Sequence, residues 1–267
     1  MRLTATTPAF GTTIEVSVAH ANRREAELAI EDALDAATGI ARLLSAEAPE
    51  SQLFRLNRDR RLERPDAHLL ALLGQARALS ELTRGAFDIT AQRVRQEAPR
   101  ARSNWSHVDF DCASARLKKP GMAITLNGLA PGYAADLALA AMRARGVVQA
   151  VLKFLHPRIP GATVALARTD GRCEATSGNY EASFNPDLVQ HGVLDPGTGE
   201  SPQELASVTV LAASGSQADG LSTAFMVMGA RKAHALAARL PGVDILTINK
   251  RGVVWKSPNF SVSGSPI

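Results

Sequence analysis

The chain has 267 residues and 45% of them are apolar, enough to build a sizeable core, which excludes a disordered chain. Its formal charge is +4 and its pI about 9.4, yet aromatic residues make up only 4%, too few for the base-stacking platforms of a nucleic-acid binder. Cys112 and Cys173 have no partners at metal-ligand spacing, no run approaches the ~18 apolar residues of a membrane span, and residues 1–16 carry no export signal, so the expectation is a cytoplasmic protein without a transmembrane segment.

Residues 12–19 alternate, with Ile14, Val16 and Val18 on one face, and read as a half-buried strand. Asn22 followed by Glu25 opens a capping box, after which Ala26, Ile30, Ala33, Ala37, Ile40 and Leu44 recur at helical steps. A loop rich in Glu, Pro and Ser leads to Gln52–Asn57, and the cluster Arg55, Arg58, Arg60, Arg61 and Arg64 is either a solvated basic face or a surface that attracts an anionic ligand or partner. Asp66 caps a second helix to about Thr83, with Leu69, Leu70, Leu73, Ala76 and Leu79 inward and Arg84-Gly85 as its stop. Residues 86–120 hold only short strands. Ile124–Leu126 reads as a strand entering a glycine-bracketed loop, and a helix follows from about Gly132 to Arg145, ended by Gly146. Strands are expected near 147–154, 162–168, 206–213, 243–249 and 252–256, with helices near 217–228 and 231–240. This mixed order, without strict βαβ alternation, predicts an α+β fold with mainly antiparallel sheets packed with helices, as a single domain over residues 1–267.

Asp219 and Thr223 are four residues apart and share one helix face, offering a carboxylate and a hydroxyl, hard oxygen donors suited to Mg2+. The loop Gly128–Asp136 holds two glycines, which let a phosphate approach the main chain. Ala175-Thr176-Ser177-Gly178-Asn179-Tyr180 is either a tight turn or a hydroxyl-rich edge that grips a polar ligand. Asp195-Pro196-Gly197-Thr198-Gly199 is a turn whose acid is also placed to orient a catalytic group, and His191 is a candidate general base. There is no Walker loop, no dinucleotide fingerprint, no nucleophile elbow and no zinc-spaced histidine pair.

The order of these motifs resembles the ApbE family, the FAD:protein FMN transferases, from about residue 9 to 256. Phe10–Thr13 is similar to the family's Met-Gly-Thr opening, Ser51–Asn57 to Ser-x-Leu-x-x-Leu-Asn, and Gly85–Thr90 to Gly-Ala-Phe-Asp-x-Thr. Gly128–Asp136 is similar to Gly-x-Ala-Lys-Gly-Tyr-Ala-x-Asp, and Ala175–Tyr180, Asp195–Gly199 and Ala218–Thr223 match three further motifs. The resemblance implies an enzyme that binds FAD and Mg2+ and attaches FMN to a Thr or Ser hydroxyl of an acceptor protein, releasing AMP. It implies Ala130 (through its carbonyl), Asp219 and Thr223 as metal ligands, and His191 and Asp195 as catalytic residues. The implied cofactor contacts are Gly11, Thr12, Gly128, Ala130, Gly132, Tyr133, Asp136, Thr176, Ser177 and Gly178. Three departures stand out: Pro131 replaces the loop lysine, Gly192 occupies the family's histidine position with His191 one place earlier, and Lys153–Pro157 replaces a Gly-Gly turn. They define the alternative, an ApbE-like flavin- or nucleotide-binding protein without transfer.

Overall fold

A computed structural model of the chain describes residues 1–91, 104–155, 163–168, 171–178 and 193–261. The main sheet starts with β1 (Arg2–Ala9) and β2 (Thr12–Ala19), an antiparallel hairpin. Its two-residue turn, Phe10-Gly11, has positive φ at both positions (54° and 71°), the geometry whose twist matches the flanking strands. Strand β1 was not visible in the sequence because its inward residues are only partly covered at the sheet edge.

Helix α1 (Arg23–Leu43) begins at Asn22, whose Oδ1 accepts from the backbone N–H of Arg24 at 2.9 Å and of Glu25 at 3.4 Å. The reciprocal half of the expected capping box is missing, because the Asn22 N–H donates to His20 Nδ1 at 3.1 Å. Helix α2 (Gln52–Asp59), capped by Ser51, lies where the sequence suggested no element, and β3 (Arg61–Glu63) follows. Helix α3 (Ala67–Leu82) is capped by Asp66, whose carboxylate accepts from the His68 N–H at 2.7 Å. Its buried stripe is Leu69, Leu72, Leu73, Ala76 and Ser80, so the expectation that Leu70 and Leu79 face fully inward is corrected: both are only partly covered. The helix closes where the Gly85 N–H reaches the Ser80 carbonyl at 2.7 Å.

Strands β4 (Val108–Phe110) and β5 (Ser114–Leu117) join β3 in a small antiparallel sheet of order β3-β5-β4. The expected strand Ile124–Leu126 is not one. The Asn57 side chain takes up both main-chain groups of Ile124, accepting from its N–H and donating to its carbonyl at 2.8 Å each, while the Thr125 N–H goes to the Ile89 carbonyl. These bonds replace a strand ladder.

Helix α4 (Ala130–Ala144) starts two residues earlier than expected, and β6 (Gln149–Leu155), β7 (Thr163–Arg168) and β8 (Cys173–Gly178) follow. Then come β9 (Leu205–Ala212), α5 (Gly215–Met228), α6 (Ala230–Ala237), β10 (Asp244–Asn249) and β11 (Val254–Lys256). The main sheet has the order β1-β2-β6-β7-β8-β9-β10-β11, with every neighbouring pair antiparallel. Helix α1 packs on β1–β2 and on α4, α4 on β6–β7 and on α5, and α5 on β8–β9, so a helical layer covers one face of the sheet. The alternating residues of that face, such as Ile14, Val16, Leu152, Phe154, Ala175, Val208 and Val210, share one continuous buried cluster with the helices. None of the described helices is long and apolar enough to cross a membrane.

Candidate active site

The chemistry gathers where α4 meets α5. A Cβ on Gly132 would overlap the Gly215 carbonyl oxygen and lie 2.8 Å from the Asp219 Cβ, so glycine is what lets the two helices touch there. Asp136, one turn further along α4, accepts from the N–H groups of Gly215 at 2.6 Å and Ser216 at 2.9 Å and from the Ser216 hydroxyl at 2.8 Å. It therefore neutralises orphan donors at the positive N-terminus of α5. Asp219 does the converse for α4, its Oδ2 accepting from the Gly132 N–H at 3.0 Å. The two helices are locked by exchanged carboxylates, and that lock fixes where Asp219 points.

Thr223 is one turn beyond Asp219, and Gly128 faces it so closely that a Cβ would sit 2.9 Å from Thr223 Oγ1. A chain of hydroxyls then reaches the sheet. Ser222 Oγ donates to the Asp219 carbonyl at 2.9 Å, so its one proton is used and Ser177 Oγ, 2.7 Å away, must donate to it. The remaining pair, Ser177 Oγ and Thr223 Oγ1 at 3.4 Å, is then a weak bond donated by Thr223. With its proton directed at Ser177, Thr223 keeps oxygen lone pairs for another partner.

Asp219, Thr223, Ser177, Thr176, Gly178 and Gly128 line one cavity of about 600 Å3, within the range of small-molecule sites. The Phe10-Gly11 turn and Thr12 line it too, and the Thr12 hydroxyl donates to the Leu155 carbonyl, fastening the hairpin to β6. Apolar walls come from Phe10, Leu44, Phe87, Ile89, Phe154 and Leu194, with the Phe10 and Phe154 rings 6.0 Å apart. Oxygen-bearing groups of α5 and β8 thus share the cavity with an apolar wall, and Ser45, Glu47, Asp88, Thr125 and Asn127 add further polar lining.

Other candidates lie elsewhere. Ala130, Gly132, Tyr133, Asp136 and Asp195 are not among the lining residues. The Tyr133 hydroxyl pairs with His68 Nδ1 at 2.9 Å, and burial together with Asp66 and Asp136 pushes its pKa up. Asp195 Oδ1 accepts from the Gly197 N–H at 2.8 Å and so shapes its own turn. His191, Gly192, Asn179, Tyr180, His156 and Pro157 lie outside the described residues. Among the described residues no three His, Cys, Asp or Glu side chains group as a metal cage. The donor set at Asp219 and Thr223 instead suits an ion such as Mg2+, which takes few protein ligands and shares itself with phosphate.

Residues 10–155 and 153–247 match the ApbE family. The chain belongs to the ApbE family. A FAD:protein FMN transferase of Salmonella typhimurium is 30% identical over an alignment of 306 positions that covers 94% of this chain and 86% of that protein. One from Klebsiella pneumoniae is 27% identical, covering 82% of this chain and 77% of its own length. The solved ApbE protein of Thermotoga maritima superposes with a TM-score of 0.81 at 24% identity over 97% of both chains. The flavin transferase ApbE of Vibrio cholerae does so with a TM-score of 0.77 at 21% identity. The fold is therefore the α+β fold of ApbE proteins.

Within this ApbE fold, two features were not picked out as site residues from sequence. Pro131, which replaces the motif lysine, lines the cavity itself. Asp88, in the Gly85–Thr90 motif, also lines it; its carboxylate accepts from the Thr90 N–H at 2.8 Å and the Trp105 N–H at 3.1 Å. Burial pushes the Asp88 carboxyl above the ordinary range, and the backbone donors offset only part of that rise. Its place in a recognised motif was the available signal. Cys173, at the start of β8, is buried and its thiol is pushed up to about 11, mainly by desolvation, which makes it inert at neutral pH.

Proposed function

We propose that this protein transfers FMN from FAD to a threonine or serine hydroxyl of an acceptor protein, in a Mg2+-dependent reaction that releases AMP. The observation that carries this reading is the convergence of Asp219, Thr223 and Ser177, from a helix and a central strand, on one cavity that also has an apolar wall. Support also comes from relatives named FAD:protein FMN transferase. The side chains of Asp219 and Thr223 would hold Mg2+ there, with the carbonyl of Ala130, a residue that does not itself line the cavity, as the third proposed ligand, and the ion would supply neutralisation of diphosphate charge.

The chain's own residues position and exclude. The Gly132 N–H holds the Asp219 carboxylate in one orientation, and the hydroxyl chain through Ser177 and Ser222 orients Thr223. Gly11, Thr12, Gly128, Thr176 and Gly178 line the path of the dinucleotide, while Phe10, Leu44 and Phe154 offer the apolar walls that suit a flavin ring and keep water out. Gly132, Tyr133 and Asp136 serve FAD indirectly, through the packing of α4. In the transfer the acceptor oxygen bonds to the FMN phosphorus as the bond from that phosphorus to the AMP oxygen breaks. The acceptor proton passes to a base, a role proposed for His191 with Asp195 as its orienting neighbour.

The test is incubation of the full chain with FAD, Mg2+ and a threonine-bearing acceptor. A covalently fluorescent acceptor band together with free AMP, both abolished by a chelator, is expected. Absence of both with every acceptor encoded beside the gene overturns the proposal. Pro131 on the cavity wall favours a second reading, a flavin- or nucleotide-binding protein without transfer. Saturable FAD binding with no AMP release would select it.

A further inference from the structure

Residues 229–257 contain six cations, Arg231, Lys232, Arg239, Lys250, Arg251 and Lys256, all exposed, and a single acid, Asp244. Asp244 is buried, ion-paired with Arg172 and bonded to the Ser257 hydroxyl at 2.7 Å, so it does not screen the surface. The adjacent Glu204 has its Oε1 engaged by the Ala230 N–H at 3.0 Å. The basic stretch ends on β11, the last strand of the main sheet, and among the described residues no strand pairs with its outer side.

That edge is apolar as well as cationic. Val253, Val254 and Trp255 are 60%, 56% and 48% exposed, three of the few large apolar side chains that face water among the described residues. Trp255 is also held rigid. Its ring stacks on His234 at 4.0 Å and 6°, and His234 Nε2 pairs with the Thr247 hydroxyl at 3.1 Å. The backbone pattern shows which groups are open. The Val253 carbonyl accepts from the Asn249 N–H, and the Ser257 N–H donates to the Ile245 carbonyl, both turned toward β10. Antiparallel pairing alternates, so Val254 and Lys256 turn their N–H and C=O groups outward. Lys256 on so short an edge disfavours pairing with a neutral or basic strand, so the strand that this edge accepts is one of opposite charge.

We infer that β11 is a docking edge for an extended acidic segment of a partner protein, which adds a strand to the main sheet beside Val254 and Lys256. Main-chain bonds to those two residues anchor the segment; its acidic side chains fall on the face of Lys256, toward the turn that carries Lys250 and Arg251, and its apolar ones fall on the opposite face, over Trp255. The charge pattern decides against two other occupants. A second copy pairing edge to edge brings like charges together. Insertion into a bilayer strands the outward N–H and C=O groups in apolar surroundings. The inference stands independently of the flavin chemistry.

The test uses the isotope-labelled full chain and a peptide of about eight residues alternating Val and Glu, with the Val/Lys peptide as control. Saturable binding of the acidic peptide is expected, with amide exchange at Val254 and Lys256 slowed about tenfold or more and no response to the control. The triple variant Lys250→Glu, Arg251→Glu, Lys256→Glu is expected to abolish binding. Val254→Pro, which deletes an outward donor that β10 does not use, is expected to do the same while the dispersion of the other amides is kept. No slowing with the acidic peptide, equal slowing with the control, or binding that survives the triple variant overturns the inference. So do Trp255 emission shifts on vesicles containing phosphatidylglycerol without a peptide response, which point to a membrane surface. A concentration-dependent dimer that protects the same amides without peptide also overturns it.

Discussion

The two ends of the cavity are built by opposite means. At the Asp219 end the groups are oriented by directed hydrogen bonds between small residues: Gly132 to Asp219, Ser222 to the Asp219 carbonyl, Ser177 to Ser222. At the other end Phe10, Phe154 and Leu44 contribute bulk without direction. Directed contacts fix an atom to within a few tenths of an ångström, as ligation requires, whereas undirected packing sets volume and stability. Substitutions at the first end should therefore separate activity from stability, and substitutions at the second should not.

Phe154→Ala has the largest expected effect. Its side chain is 1% exposed in a central strand, so truncation leaves a void and costs about 3–5 kcal/mol of unfolding free energy. Denaturant titration measures this, and a loss under about 1 kcal/mol would mean that the wall collapses readily. Asp219→Asn comes next and behaves in the opposite way. Asparagine still accepts from the Gly132 N–H but carries no charge, so flavin transfer is expected to fall about 10²–10³-fold with little change in the melting temperature. Covalent flavin fluorescence beside a thermal melt on one preparation reads both quantities. Equal losses in the two would erase the contrast between the ends.

Gly132→Ala is intermediate, because it strikes the joint that positions Asp219. The new methyl meets backbone at Gly215, which cannot rotate away, and about 1–3 kcal/mol of stability is expected to be lost as α4 and α5 separate. Gly74→Ala is the internal control: nothing lies within 4 Å of its Cβ position and it is inside α3, so gained helix propensity should stabilise by about 0.5–1 kcal/mol. A thermal-melt series ranks the two, and similar values would remove the claim that close approach selects glycine at the joint.

The same contrast explains what the sequence disclosed. Asp219 and Thr223 were readable because helical spacing alone puts them on one face, and the structure places both on the cavity. Gly132 and Asp136 look the same in sequence whether a phosphate or a second helix approaches, and here it is α5. Strand β8 was read as a turn or a polar edge because Cys173–Gly178 lacks large apolar alternation. Its inward Ser177 meets hydroxyls of α5, and Thr176 pairs with Thr209 at 2.9 Å. Long periodic segments such as α1 were legible. Residues 124–126 misled because the Asn57 side chain, distant in sequence, satisfies their backbone.

Asp88 offers the smallest and most discriminating effect, since it sets a charged group among apolar lining residues. Burial raises its folded pKa above the unfolded value near 3.8. A group shifted this way binds its proton more tightly in the folded state. Its stabilising contribution is full below the unfolded pKa and is lost as pH rises through the folded one. The unfolding free energy of the native chain minus that of Asp88→Asn should therefore decline as pH rises from about 3.8 through the mildly acidic range and then level off, because all other titrations cancel in the difference. Urea titrations at a series of pH values trace that curve. A difference that climbs with pH would mean that the Thr90 and Trp105 N–H groups outweigh desolvation, and would move Asp88 from the apolar wall to the hydrogen-bonded end of the comparison.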